Sequence, residues 1–153
     1  MLMLKDKQQE IQSINFQIKT VDLIKCNFII PENQINSTQN FNFVINLEQK
    51  LNHSDKCIIV ITNVDISTLE EKEVTLGSAS VACQFEILNF DEIVTFDKNK
   101  HAHLNDITAN VLNSIAISTT RGVISQIFRG TILHHAILPI VDPKEFKIAK
   151  LNE

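Results

Sequence analysis

Two closely spaced pairs of histidines are the first side chains in this chain to consider for chemistry. His101 and His103 have the spacing of metal ligands, but the residues around them are rich in Lys and Asn and offer no third ligand. His134 and His135 lie in a segment that we predict to be extended, where neighbouring side chains face opposite sides. We therefore predict no metal site at either pair. A pH-sensing role for one histidine of the second pair stays an alternative.

The cysteines are the candidates for thiol chemistry. Cys26, Cys57 and Cys83 are widely spaced, and no CxxC pair is present, so the sequence predicts neither a zinc knuckle nor a thioredoxin motif. Each cysteine lies in an apolar, strand-like context, where a free thiol behaves as a small hydrophobic side chain. We expect three buried thiols in a reducing, cytoplasmic environment.

Motifs of the common enzyme classes are missing from the sequence. It contains no GxSxG elbow, no GxxxxGK[ST] loop and no GxGxxG loop. Arg121 and Arg129 are two helical turns apart, so we predict that they share a helix face and form solvated or interfacial ion pairs. Four carboxylates lie in or near a predicted turn, where they favour solubility: Asp65, Glu70, Glu71 and Glu73. The sequence predicts a protein that is not an enzyme, has no catalytic residues and needs no cofactor.

Length and composition describe the kind of domain. The 153 residues suit a single domain, predicted over residues 1–153 with 1–9 frayed. The net charge of -4 and the scattered basic residues argue against a nucleic-acid partner. The start, MLMLKDKQQEI, has no apolar core of a signal peptide. No uninterrupted apolar run approaches the ~18 residues of a membrane span, so we predict no membrane insertion.

Four segments have the alternating or continuous apolar pattern of strands. They cover residues 14–30, 40–47, 57–64 and 78–87. The first changes phase near residues 20–22, which predicts a bulge, and ends before Pro31. Residues 32–39 form a polar crossover loop. The third is apolar at nearly every position, so we expect both of its faces to be covered.

Helical spacing dominates the second half. Apolar residues at this spacing run from a cap at Asn105 or Asp106 to about Arg129, and Gly130 stops the helix. Residues 91–103, which precede this helix, are predicted to be a polar connection. An extended apolar segment follows over residues 132–140, and Asp142 then caps a short last helix. The order predicts an α+β fold, a four-stranded antiparallel sheet followed by one long helix and a short C-terminal helix.

One face of the long helix is built from small residues. Ser118, Thr119 and Gly122 lie on it, and a glycine inside a helix costs about 1 kcal/mol unless it permits close packing. We expect a partner helix there, and therefore an oligomer. The phenylalanines Phe41, Phe43, Phe85 and Phe146 are either core residues or the lining of an apolar groove beneath residues 132–140.

Three short motifs accompany this order of elements. The first strand ends in Phe28-Ile29-Ile30-Pro31, and a later strand alternates around Cys83 in Val81-Ala82-Cys83-Gln84-Phe85. The long helix ends in Arg129-Gly130-Thr131, followed by an apolar stretch that contains Pro139, and this junction is the most specific of the three. Together with the order of elements over about residues 14–151, these motifs resemble the SecB family of export chaperones.

The resemblance implies a cytoplasmic, ATP-independent holdase that binds unfolded or preprotein polypeptides, keeps them competent for translocation and assembles as a homotetramer, a dimer of dimers. Carried over to this chain, the polypeptide-binding groove comprises Phe41, Phe43, Ile45, Phe85, Leu133, Ile137, Leu138 and Phe146. The implied oligomer interface comprises Ile115, Ser118, Thr119, Gly122, Val81 and Cys83.

Some positions depart from the family pattern. Members that dock on the translocase motor carry acidic residues where this chain has Lys25, Ile29 and Gln84, and the crossover-loop tryptophan is replaced near Gln39. Export targeting through the motor is therefore one alternative. The others are a dedicated chaperone of one client, such as an antitoxin, and an adaptor subunit that holds a folded partner. A small-molecule-binding domain would need a cluster of polar residues that the sequence lacks.

Overall fold

The structure is a computed structural model that describes residues 13–30, 32, 40–70 and 74–146. Its elements, in chain order, are β1 (Phe16–Phe28), β2 (Phe41–Asn52), β3 (Cys57–Thr68), β4 (Gly77–Ile87), α1 (Phe90–Ile93), β5 (Val94–Phe96), β6 (Ala102–Leu104), α2 (Asp106–Ile127) and a 3-10 turn at Pro143–Glu145. The predicted frayed start, most of the crossover loop and all but the beginning of the predicted last helix lie outside the described residues.

The four long strands form one antiparallel sheet in the order β1-β4-β3-β2. β1 pairs with β4 instead of with β2, its neighbour in sequence, so the chain crosses the sheet between β1 and β2. The predicted α+β fold, a four-stranded antiparallel sheet with one long helix, is confirmed. β2 and β3 continue beyond their predicted ends to Asn52 and Thr68, where polar residues interrupt the apolar pattern, whereas β1 lies within its predicted range.

The two faces of the sheet differ in chemistry. α2 packs across β3 and β4 and covers the apolar face. The opposite face carries a ladder of polar side chains, in which Ser80 donates to Asn63 over 2.6 Å and Asn63 donates to Glu48 over 3.0 Å. Ile59 and Ile61 of β3 lie among them and are half-buried, so within this chain β3 is fully covered on the α2 side only.

β1 is irregular where its sequence pattern changes phase. Its register with β4 shifts between Ile18 and Thr20 and again between Leu23 and Lys25. The predicted bulge is therefore present as two bulges that flank the expected position. Each adds one unpaired residue, Lys19 and Ile24, and the paired residues Ile18, Val21 and Leu23 stay opposite the α2-facing residues of β4.

The prediction of a polar connection over residues 91–103 was wrong. The chain forms α1 there and then a hairpin of β5 and β6, whose Val94 and Ala102 are buried. Asp97 in the hairpin loop accepts hydrogen bonds from the backbone N–H groups of Asn99 and His101. Short apolar stretches of three residues carry too little periodicity for a sequence pattern to reveal them.

Both histidines of the first pair contact the same carboxylate. Oδ2 of Asp97 lies 3.2 Å from Nδ1 of His101 and 3.3 Å from Nε2 of His103. The backbone N–H of His101 is the main cause of a pKa of Asp97 well below its usual range, and the histidine side chains and Asn99 add to it. Within the described ranges, no three His, Cys, Asp or Glu side chains form a group that could hold a metal ion.

The depressed pKa of Asp97 predicts a pH-dependent stability. A carboxyl group whose pKa is lowered by folding stabilises the protein above its unfolded pKa of about 3.9, and this contribution is lost as the pH falls through the folded pKa. We expect Asp97→Asn to be less stable than the wild type at neutral pH, with the difference shrinking in acid. Denaturant midpoints of both proteins between neutral and strongly acidic pH test this. A difference that stays constant over the whole range would contradict it.

α2 begins and ends largely as its sequence predicts. The Asn105 side chain caps the helix by accepting from the N–H of Thr108 at 2.7 Å, and Gly130 has a φ of 78°, in the left-handed region that favours glycine. Among the helices in the described part of the chain, none has the length and apolarity needed to cross a bilayer.

The composition of the segment after α2 predicted an extended chain, and this prediction holds for only part of the segment. Residues 131–135 form turns, in which the N–H of His134 donates to Thr131 and that of Ala136 donates to Leu133. The turns bring the rings of His134 and His135 together, with centroids 4.7 Å apart, so the expectation that they face opposite sides was wrong. Asp142 caps the final turn as predicted, accepting from the N–H of Lys144 at 2.9 Å.

The cysteines lie in two different environments. Cys57 and Cys83 are buried as predicted, and burial raises the pKa of the Cys83 thiol while a hydrogen bond with Thr119 opposes the rise. The prediction of a buried thiol was wrong for Cys26, which is exposed. The reason is topological, because Cys26 lies on β1, an edge strand that α2 does not cover.

Candidate functional site

Two apolar clusters lie between the sheet and α2. The first, near the N-terminal half of α2, is built around Phe85, Phe90 and Leu112. The second, here called the C-terminal cluster, has ten buried members: Val64, Ile66, Leu76, Ala79, Ile117, Ile124, Phe128, Leu133, Ala136 and Leu138. It joins β3, β4 and the second half of α2 to the segment that follows the helix.

The C-terminal cluster brings together most of the predicted groove residues. Leu133 and Leu138 are buried members of it. Four others are half-buried and pack against it, forming its rim: Phe41, Phe43, Ile45 and Phe146. Three of these rim residues come from β2 and one from the final turn, so the partly open apolar surface runs along that side of the molecule.

The other two predicted groove residues lie elsewhere. Phe85 is completely buried in the first cluster, where its ring meets that of Phe16 edge to face at 5.8 Å between centroids. It is a core residue within this chain. Ile137 is 63% exposed and points away from the cluster that holds its neighbour Leu138. Neither residue is part of the rim: Phe85 lies in the first cluster, and Ile137 faces solvent.

Arg121 holds the segment after the helix in place. Its Nε donates to the carbonyl of Leu138 over 2.7 Å, and its Nη2 donates to the carbonyl of Pro139 over 2.9 Å. The prediction that Arg121 forms an ion pair was wrong, because its guanidinium group instead donates hydrogen bonds to two backbone carbonyls that lie outside any strand. A sequence pattern could not reveal this partner, which lies 17 residues away along the chain.

The turns at residues 131–135 pack against Gly77 through the side chain of Leu133. A Cβ atom built on Gly77, the first residue of β4, would overlap the side chain of Leu133 and lie 3.5 Å from the ring of Phe128. The absence of a side chain at Gly77 therefore lets Leu133 approach the sheet. This close approach closes the C-terminal cluster at its end.

A second apolar surface lies on β1. Four of its large side chains, on the α2 side of the sheet, are between 41% and 46% exposed: Ile18, Val21, Leu23 and Phe28. We call these four residues the β1 face. They are exposed because α2 lies over β3 and β4. The ring centroid of Phe28 lies 6.3 Å from that of Phe128, just after the end of α2. A patch of this kind is typical of an interaction site.

The predicted oligomer residues divide into two groups. Ser118 and Gly122 are exposed on α2, and Ile115 and Thr119 are half-buried beside them. A Cβ atom built on Gly122 would meet no described atom within 4 Å, so the close packing predicted at this glycine is not made among the described residues. The other two residues, Val81 and Cys83, are fully buried beneath α2.

Comparisons with known proteins agree with these features at the level of the fold. No protein-family model matches the sequence, and no curated protein matches it. Among solved structures, the chain is similar to the SecB-like chaperone of Mycobacterium tuberculosis, solved in complex with a ChAD peptide from the HigA1 antitoxin. The TM-score is 0.58 at 10% sequence identity, and the match covers 82% of this chain and 89% of the chaperone chain. The predicted resemblance to SecB-like proteins is confirmed for the fold.

Proposed function

We propose that this protein is a chaperone that binds non-native polypeptide without ATP, at the half-buried rim of the C-terminal cluster. The observation that carries the proposal is the row of Phe41, Phe43 and Ile45, which a partner could cover without disturbing the buried core. Such a row binds through burial of apolar area, worth roughly 25 cal/mol per Å², and needs no particular client sequence. The SecB-like fold supports this function over an enzymatic one.

A dedicated client fits the chain better than general export. The structural neighbour was solved with a peptide of an antitoxin, and the positions that carry acidic docking residues in motor-binding relatives are Lys25, Ile29 and Gln84 here. We therefore favour a chaperone with one principal client over a general holdase that keeps preproteins translocation-competent. An adaptor that holds a folded partner is distinguished by its lack of affinity for unfolded chains.

Self-association is part of the proposal. The β1 face and the exposed side of α2 at Ser118 and Gly122 each lack a cover within the described residues. Burial of both in a homotetramer would account for their composition. Val81 and Cys83 would support such an assembly from beneath α2 instead of contacting another copy.

The variant Phe43→Asp is expected to lose most of its ability to suppress aggregation of a denatured model client in the absence of nucleotide. A charge on the rim cannot be buried by the client without a large desolvation penalty. The matched control is Val44→Asp on the same strand, because Val44 is 50% exposed and on the opposite, polar face of the sheet. Light scattering during refolding of the client measures the effect, with circular dichroism to verify folding.

Equal activity of these two variants would contradict the proposed binding surface. Leu138→Asp is a poor test, since Leu138 is 1% exposed and the substitution would unfold the protein. Ile137→Asp is a second control, on the segment after α2, because Ile137 is 63% exposed and points away from the rim. A wild-type protein that neither suppresses aggregation nor retains an unfolded chain would favour the adaptor.

A further inference from the structure

Among the described residues, β2 is an edge strand of the sheet, and its outer side has a defined pattern of backbone hydrogen-bonding groups. The N–H of Leu69 donates to the carbonyl of Asn40 over 3.1 Å, one step beyond the opposed pair of Phe41 and Thr68. In an antiparallel ladder, directly opposed residues that exchange such bonds alternate with residues whose N–H and C=O point the other way. The even-numbered residues of β2 therefore bond to β3, and the odd-numbered residues present their backbone groups at the edge.

The same odd-numbered residues carry the apolar rim. Phe41, Phe43 and Ile45 direct their side chains to the α2 side, as does Gln49, which bonds to Asn113 of α2 at 2.7 Å. Backbone donors and acceptors at the edge thus alternate in step with the apolar side chains. A strand added antiparallel to this edge would place every second side chain beside the rim, and those same residues would donate their N–H groups to β2.

β2 is a better template for an added strand than β1, the other edge of the sheet. The pairing of β2 with β3 runs without a register shift from Phe41 to Asn52. β1 is interrupted by two bulges, and it carries Lys19 and Lys25 along its length. Bulges and lysines are the devices by which natural edge strands prevent pairing with another chain. β2 lacks bulges, and its only lysine is Lys50 near its end.

We infer that the client binds as an extra antiparallel strand on the edge of β2, with apolar residues at alternate positions facing the rim of the C-terminal cluster. This inference rests on the proposed function. It specifies which clients the protein binds, namely extended segments in which every second residue is apolar. Main-chain hydrogen bonds supply affinity in this mode, and the alternate side chains supply selection.

The geometry favours a single strand over a second copy of the chain as the occupant. The rim residues are only half-exposed and form a narrow row, whereas a stable protein–protein interface needs roughly 800 Å² from each partner. A strand lies about 4.8 Å from its neighbour and covers such a row with its own side chains. The β1 face, with its larger exposed fractions, is the surface suited to a second copy.

N-methylated peptides test the inference. The probe is a short blocked peptide of alternating valine and threonine with a lysine at each end, made in three forms: unmodified, N-methylated at the valines, and N-methylated at the threonines. Valines facing the rim must donate their N–H groups to β2, so we expect valine methylation to weaken binding roughly tenfold or more and threonine methylation to change it little. Fluorescence anisotropy measures the affinities.

Residue-resolved amide exchange gives a second measurement. The amides of Phe43 and Ile45 are expected to gain protection when the unmodified peptide binds, whereas that of Val44, already bonded to β3, changes little. Ile45→Pro removes one edge donor without removing a bond to β3, and Ile45→Ala is its matched control with the donor intact. We expect the proline variant to bind more weakly than the alanine variant.

Three results would overturn the inference while leaving the proposed function standing. They are equal affinity of the two methylated peptides, loss confined to threonine methylation, and protection of the odd-numbered β2 amides that grows with protein concentration when no peptide is present. The last would assign the edge to a second copy. Failure of the chain to bind any unfolded polypeptide, methylated or not, would instead overturn the proposed function.

Discussion

Truncating Leu133 to alanine is expected to lower the free energy of unfolding by about 2–5 kcal/mol, as for other buried leucines. Leu133 is 1% exposed and joins the turns after α2 to the C-terminal cluster. The loss combines a smaller burial of apolar area with a cavity that the neighbouring strand cannot fill. Urea denaturation followed by circular dichroism measures it. Ile137→Ala is the control, expected to lie within about 0.5 kcal/mol of the wild type because Ile137 is 63% exposed.

The contact between Leu133 and Gly77 makes the same prediction sharper. Gly77→Ala alone places a methyl group against the Leu133 side chain, and overpacking of this kind costs about 1–3 kcal/mol. In the Leu133→Ala background the methyl group enters vacated space, so the cost of Gly77→Ala should fall. A double-mutant cycle reports this as a coupling of about 0.5–3 kcal/mol. Strictly additive effects would contradict the close packing that seats the turns on β4.

Replacing Gln49 by leucine is expected to cost about 1–3 kcal/mol of stability. Gln49 and Asn113 are 3% and 1% exposed, and the amide of Gln49 donates to Oδ1 of Asn113 over 2.7 Å. The leucine leaves the Asn113 oxygen buried without its donor, and the full cost of its desolvation then appears. Denaturant midpoints measure this loss, with Asn46→Leu on the exposed face of β2 as the control.

The double variant Gln49→Leu, Asn113→Leu separates the contribution of the hydrogen bond from the cost of leaving a buried oxygen unpaired. Replacing both partners by apolar groups removes the unpaired oxygen, so stability should recover to near the wild-type level. A double variant as unstable as the sum of the single ones would show that the pair also fixes the position of α2 on β2. Because this bond links β2 to α2, either result bears on how rigidly β2 is held.

Local patterns predicted the elements of this fold well where the elements are long. β2, β4 and α2 present a sustained period of two or 3.6 residues, β3 is a nearly continuous apolar run, and β1 alternates on either side of its phase change. The caps at Asn105 and Asp142 are side chains that act on their own neighbours. The hairpin of β5 and β6 was missed because each strand has three residues. The turns at residues 131–135 were missed because apolar composition alone does not distinguish an extended chain from a compact one.

The candidate site was predicted in part. Six of the eight groove residues meet in or around one cluster, since strand alternation places Phe41, Phe43 and Ile45 on a single face. Phe85 has the same apolar alternation and yet lies in the core, because α2 covers β4 and leaves β2 at the side. Alternation identifies which residues share a face and says nothing about what covers that face.

The sequence by itself determined the α+β class, the sites of the long elements and the apolar row on β2, because these follow from interactions between residues close in the chain. The tertiary structure alone decided that β1 pairs with β4, that Arg121 binds the carbonyls of Leu138 and Pro139, and that Gly77 receives Leu133. These contacts join residues far apart in the chain, so no local period encodes them. They also decide which apolar rows remain open, and the proposed function rests on these open rows.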